Sequence, residues 1–194
     1  MAFDWTAFYS EQSARGVRPT FTAGLDAWEG AEPGDALDLG CGDGVETRRL
    51  AHLGWHVLAI DADPTVEKRV ATEVGESLAP LVEIRRATFE DPGDLPPSDF
   101  VYAGFALPFC NADQFPSFWA DLRAALRPGA VFAGELFGPD DEWFGRPGMN
   151  FHDRAGVEAM LAGLEVVQLV EDNRRGMSFE GPKHWHVFHI VARA

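Results

Sequence analysis

Lysine is almost missing from this chain. Two lysines, Lys68 and Lys183, stand among 16 basic residues, against 31 acidic ones, for a net charge of -15 at pH 7. Such a field repels phosphate backbones and excludes sequence-independent nucleic-acid binding unless the basic residues gather on one face. It works equally against docking on anionic membranes. Cysteine is as scarce: Cys41 and Cys110 form no C-x-x-C pair and no disulfide framework, which points to a reducing compartment. No run approaches the ~18 apolar residues of a membrane helix. The opening M-A-F-D-W-T-A-F-Y-S lacks the basic and apolar regions of a signal peptide. A cytoplasmic protein is expected, and neither repeats nor low-complexity segments interrupt it.

What is present is the composition of a folded domain: 194 residues, 46% apolar and 24% charged, with 13 prolines and 20 glycines. That length suits one domain and is short for two. The reading is a single domain over 1–194, with a helical cap over 1–30 and a core over 35–194. Strand-like and helix-like segments alternate. Strands are predicted over 36–39, 56–60, 81–87, 100–107, 130–137, 164–170 and 185–192; helices over 45–53, 64–75, 115–126 and 154–162. Pro64 suits a first helical turn, and the apolar fourth strand suits burial on both faces. The order implies an α/β fold of Rossmann-like, doubly wound type. Its sheet would have seven strands, mostly parallel, with an antiparallel C-terminal strand.

The most informative segment is A-L-D-L-G-C-G-D-G, from Ala36 to Gly44. It follows a predicted strand and opens a predicted helix, as a nucleotide-binding loop must. Gly40, Gly42 and Gly44 remove β-carbons, so the backbone turns tightly and a ligand approaches closely. Seventeen residues after Gly44, Asp61 ends the second strand, where its carboxylate can accept both hydroxyls of a ribose. A dinucleotide loop reads G-x-G-x-x-G and rests a pyrophosphate on the helix N-terminus. Here Val45 takes the third glycine's place, and Asp38 and Asp43 put negative charge where the pyrophosphate would sit. S-adenosylmethionine, with a sulfonium, an ammonium and no phosphate, suits that charge better.

These residues, with the run from His56 to Pro64, resemble the cofactor signature of class I S-adenosylmethionine-dependent methyltransferases. The match spans about residues 35 to 135. Within that superfamily the chain is similar to small bacterial members of the tellurite-resistance and thiopurine type. The aromatic N-terminus (Trp5, Phe8, Tyr9), the run F-A-L-P-F-C from Phe105 to Cys110, and the closing K-H-W-H-V-F carry that likeness. The resemblance implies that Asp38, Gly40 and Gly42, with Cys41 between the glycines, lie along the methionine part. Asp61 would bind the ribose, Ala62 would pack near the adenine, and Phe89 and Glu90 would contact it, with Asp91 as the alternative to Glu90. Phe105 would lie beside the sulfonium. Trp5, Tyr9 and Arg18 would close over the methionine end, Arg18 pairing its carboxylate. The implied activity is methyl transfer by in-line displacement to a small-molecule acceptor. The alternatives are an NAD-dependent oxidoreductase and a non-catalytic S-adenosylmethionine-binding domain.

Substrate is expected outside the carboxyl ends of the parallel strands. Three loops open there. Residues 107–112 bring Leu107 and Phe109. Residues 138–150 bring Trp143 and Phe144 on a loop long enough to act as a lid, or to fold back as a small aromatic cluster. Residues 171–184 bring Arg174, Arg175 and Lys183, the densest positive patch, suited either to an anionic or polar substrate or to a solvated hairpin tip. His152, His184 and Tyr9 are the candidates for a general base. His184 and His186 share a strand face and His189 takes the other, so no metal site is expected. Cys110 is better placed than Cys41 to face the site.

Overall fold

The computed structural model describes residues 15–194. The chain runs α1 (Pro19–Asp26), β1 (Asp35–Leu39), α2 (Val45–His52), β2 (His56–Asp61), α3 (Val66–Val74), β3 (Val82–Arg86), β4 (Ser98–Ala103), α4 (Phe115–Ala125), β5 (Leu126–Phe137), α5 (Arg154–Met160), β6 (Glu165–Ser178) and β7 (Gly181–Arg193). All seven strands join one sheet in the order β3-β2-β1-β4-β5-β7-β6. β1 to β5 pair in parallel, β7 runs antiparallel to β5, and β6 runs antiparallel to β7. This is the Rossmann-like architecture that the alternation of segments implied. The strand order reverses at β1, which lies between β2 and β4, so a crevice opens beyond their carboxyl ends.

Apolar side chains of β1 and β4 are buried on both faces because helices cover both. On one face α4 and α5 bring Phe118, Leu122 and Val157 against Leu37, Leu39, Val101 and Phe132. On the other, α1 and α2 bring Phe21 and Leu50 against Phe100 and Val131. Fully buried Phe21 meets Tyr102 edge-on at 5.1 Å. Burial of such a ring is worth roughly 1.5–3 kcal/mol. α1 reaches β5 because Gly24 has no side chain; a Cβ there would stand 2.7 Å from that of Ala133. This close approach sets Arg18 and Thr20 over the crevice. Of the expected 1–30 cap, α1 is the described helix; Trp5, Phe8 and Tyr9 lie outside the described residues.

Several boundaries differ from expectation. β4 ends at Ala103 rather than Leu107, because Phe105 takes φ 55° and Leu107–Phe109 forms a 3₁₀ turn. β5 starts at Leu126, and an irregularity opposite Ser98 and Phe100 absorbs Arg127, Pro128 and Gly129. Pro64 precedes α3 instead of opening it. The largest difference concerns 171–184, which is no loop. β6 and β7 continue as a two-stranded ribbon, paired from Glu171–Phe188 out to Ser178–Gly181. Past the sheet's core both faces of β6 meet water in part, so its outer half, D-N-R-R-G-M-S, shows no apolar alternation. Among the described residues, no helix is long and apolar enough to cross a membrane.

Candidate functional site

The glycine loop is pinned to the end of β2. Ile60 carbonyl accepts the N–H of Gly40 (2.7 Å) and of Cys41 (3.1 Å). Asp61 accepts the N–H of Gly42 and of Asp63, each at 2.9 Å. A carboxylate offers about four acceptor positions, the capacity by which one side chain can serve both the loop backbone and a ligand's hydroxyls. Gly40 and Gly42 adopt φ 69° and 57°, a region costly for other residues. A Cβ on Gly40 would come within 2.3 Å of that of Ala106, so the loop is cut to let backbone and neighbour close on one another.

Beyond this loop lies a cleft of about 920 Å³. It brings together Asp38, Gly40, Cys41, Gly42, Asp61, Ala62, Phe89, Glu90, Phe105 and Arg18 from the expected cofactor set, and Phe109, Trp143 and Arg174 from the expected substrate set. Asp91 is not on this wall; its N–H turns back to the Thr88 hydroxyl. The loop end is strongly acidic. Asp38 is buried and accepts the Thr47 hydroxyl at 2.5 Å. Burial first, then the Glu46 carboxylate, pushes Asp38 up to about 7. Arg15 bridges Glu46 at 2.5 Å and Asp43 at 3.0 Å, and Arg69 holds Asp63 at 2.6 Å. Arg18 lies over the Phe105 ring, 4.8 Å from its centroid. Among the described residues the buried Tyr102 hydroxyl and Asp43 Oδ2 have no hydrogen-bond partner. Both line the cleft, so they are open to a ligand there. This donor set fits S-adenosylmethionine: acids for its cationic groups, and a bare carboxylate oxygen and hydroxyl for its polar ones.

The other half of the cleft is aromatic. Phe105, Phe109, Phe137, Trp143, Phe179 and Trp185 line it. Trp143 is buried, tied into a cluster with Phe137, Met149 and Val187. The 138–150 loop is anchored as well, since Asn150 Nδ2 donates to the carbonyls of Leu107 (2.7 Å) and Cys110 (2.8 Å). The loop is therefore folded back as an aromatic wall.

Six expected residues are not on the cleft wall. Leu107 is fully buried in the core beside Leu136 and Phe188. Phe144 is 60% exposed and packs on Phe151 at 5.3 Å. Arg175 is exposed on the opposite face of the ribbon from Arg174, as strand alternation requires. Lys183 is not part of a surface patch: it is buried, ion-paired with buried Asp141, and its Nζ lies 3.5 Å from the Trp143 ring centroid and 3.9 Å from that of Trp185. Burial lowers its pKa against the pull of Asp141. His152 packs on Phe115 at 4.7 Å and pairs with Asn150 Oδ1 at 2.7 Å; burial lowers its pKa. His184 pairs with Asn173 on the outer face of the ribbon. Cys110 is fully buried, and it is Cys41 that reaches the cleft.

Sequence reasoning missed Arg15, Glu46, Tyr102, Trp185 and His189, all on the wall. Trp185, Val187 and His189 alternate with His186 and Phe188 along β7, so their common face was available from the two-residue strand period. Arg15 and Glu46 are 31 residues apart and carried no local signal.

Residues 37–134 match the methyltransferase domain family. Hemagglutinin 1 of Eikenella corrodens is 30% identical over 118 residues, covering 59% of this chain and 38% of that protein. A malonyl-[acyl-carrier protein] O-methyltransferase of Prosthecochloris aestuarii is 27% identical over 193 residues, covering 91% of this chain and 67% of the relative. In fold the chain is similar to the crystal structure of TehB from Haemophilus influenzae, with TM-score 0.74, 16% identity, and coverage of 96% of this chain and 65% of that one. The chain thus spans about two fifths of the first of these relatives and just under two thirds of the last. The family match runs from β1 through most of β5, over the glycine loop, Asp61 and Phe105, and by it the chain belongs to the methyltransferase domain family.

Proposed function

We propose that this chain transfers a methyl group from S-adenosylmethionine to a small-molecule acceptor, as a cytoplasmic enzyme acting as a single domain. The observation that carries the reading is the continuity of one cleft, acidic at the glycine loop and aromatic at the far end, with Phe105 between. The cofactor would supply an electrophilic methyl on a sulfonium, whose departure needs no proton. Asp61 would hold the ribose hydroxyls, with Ala62 and the Phe89–Glu90 pair toward the adenine. Asp38 and the orphan Asp43 oxygen would face the ammonium. Arg18 and the Tyr102 hydroxyl would meet the carboxylate; Trp5 and Tyr9 remain proposed closing residues from outside the described region. The aromatic wall excludes water and orients the acceptor, which is most of what an in-line displacement asks of a protein. Phe109, Trp143 and Arg174 would contact that acceptor. A pyrophosphate cofactor would instead face Asp38, Asp43 and Glu46, which disfavours the oxidoreductase alternative.

Calorimetry checks the reading. S-adenosylmethionine should bind the wild-type chain and NAD should not. Two charge-assisted hydrogen bonds at roughly 1.5–3 kcal/mol each make Asp61→Ala weaker by at least about 10²-fold. Equal affinity in Asp61→Ala would sink the cofactor assignment.

A further inference from the structure

Glu135 is a single carboxylate in the apolar strand A-V-F-A-G-E-L-F and is 1% exposed. It stands directly opposite His189 in the β5–β7 ladder. Its Oε1 lies 3.3 Å from His189 Nδ1, and its Oε2 accepts the Phe105 N–H at 3.1 Å. Thr20 Oγ1, delivered by α1, lies 3.2 Å from the same Nδ1. His189 lines the cleft and meets the Phe105 ring edge-on at 6.1 Å. Its Nε2 has no hydrogen bond to any described residue. A buried carboxylate at Nδ1 fixes the proton there and leaves the Nε2 lone pair for the cleft. The same carboxylate holds Phe105 in its left-handed turn, so base and turn share one anchor.

We infer that His189, oriented by Glu135, is the general base for a hydroxyl acceptor on an apolar ring seated in the aromatic half of the cleft. The inference deepens, and rests on, the methyl-transfer reading. Among common acceptors, a neutral amine attacks through its own lone pair and a thiol ionises readily, whereas a hydroxyl gains most from losing its proton during attack. Six aromatic side chains, an imidazole nitrogen with no described partner and an Arg174 already ion-paired with Asp172 match a phenol-like molecule better than a polyanion. In the step, the acceptor O–H proton passes to Nε2. The oxygen pair forms the O–CH₃ bond as the S–CH₃ bond breaks, its electron pair staying on sulfur. The products are a methyl ether, a neutral thioether and an imidazolium, which returns its proton to water. Glu135 touches neither reactant and is a positioning residue.

The test uses the whole chain, S-adenosylmethionine labelled in its methyl group, and 2-naphthol as probe. Wild type should form 2-methoxynaphthalene. His189→Gln should lower the rate about 10²- to 10⁴-fold with S-adenosylmethionine affinity unchanged by calorimetry. Glu135→Gln keeps an acceptor for the Phe105 N–H but offers an amide donor to Nδ1, so the tautomer should invert and the acid limb of the pH–rate profile should move. Long-range ¹⁵N–¹H spectra of the unliganded chain read the tautomer directly: protonated Nδ1 and bare Nε2 in wild type, the reverse in Glu135→Gln. A full rate in His189→Gln, or a protonated Nε2 in wild type, overturns the base assignment. No product from wild type with bound cofactor overturns the acceptor class. Failure of wild type to bind S-adenosylmethionine sinks the underlying methyl-transfer reading instead, and the spectra still decide the Glu135–His189 geometry.

Discussion

Lys183→Met separates a charge that reads substrate from a charge that builds the wall. Lys183 and Asp141 are both buried; Asp141 also accepts the Trp143 N–H at 3.0 Å and the His186 N–H at 3.1 Å. Removing one partner of a buried pair costs roughly 3–5 kcal/mol, because the other charge is left uncompensated. Here two backbone donors remain on Asp141, which lowers the loss. The desolvated ammonium also lies against three aromatic rings, Trp143, Trp185 and Phe137, and cation–π contact there is worth about 2 kcal/mol or more, which raises it. Methionine keeps most of the buried stem. The net expectation is about 3 kcal/mol, or a fall of about 6–12 °C in Tm for a domain of this size.

Urea denaturation followed by tryptophan fluorescence measures it, since Trp143 and Trp185 report the cluster. The double variant Lys183→Met, Asp141→Asn should recover most of the loss, because the amide carries no charge to bury. Burial already outweighs the carboxylate in lowering the Lys183 pKa, the condition under which removing a whole pair is tolerated. A Lys183→Met chain as stable as wild type would refute the reasoning. So would a loss confined to acceptor binding, which would return Lys183 to the role its sequence neighbourhood suggested.

Other outcomes follow from the same geometry. Asp38, pushed from 3.8 to about 7, holds its proton better in the folded chain; that contribution is full below 3.8 and is lost as pH rises through about 7. A cationic ligand beside it favours the carboxylate, so S-adenosylmethionine binding at about pH 6 should release a proton and tighten as pH rises. Calorimetry in buffers of differing ionisation enthalpy measures this, and zero release would count against contact with Asp38. Phe144→Ser should change stability by less than about 0.5 kcal/mol, with acceptor turnover intact; a large loss of turnover would restore a lid. Cys110 is fully buried, with its thiol pKa raised first by burial, so a thiol reagent should not find it until the chain unfolds. Rapid labelling of Cys110 in the native chain would contradict that packing.

The cofactor half of the cleft was legible because its signals are local. Gly40, Gly42 and Asp61 lie within 22 residues, between two apolar strands, and each is required by backbone geometry or by one ligand contact. The acceptor half was legible only in part: Phe109, Trp143 and Arg174 were named from their segments, but Phe179, Trp185 and His189 join them only through long-range pairing. Lys183 reads as surface charge until Asp141 and Trp143, from the 138–150 loop, close on it beside Trp185 of its own strand. The outer ribbon reads as loop because water reaches both of its faces, and period-two alternation needs one dry face. His189 fell between these cases. Its strand and face follow from the two-residue spacing it shares with Trp185 and Val187, but a histidine alone on a strand has no chemistry to declare. The missing premise was Glu135, an acid that an otherwise apolar strand retains at a desolvation cost. A buried carboxylate needs partners, and the antiparallel register supplies His189 while the end of β4 supplies the Phe105 N–H. The lone acid in an apolar strand is thus a stronger pointer than the histidine it faces, because its burial demands a reason and the imidazole's exposure does not.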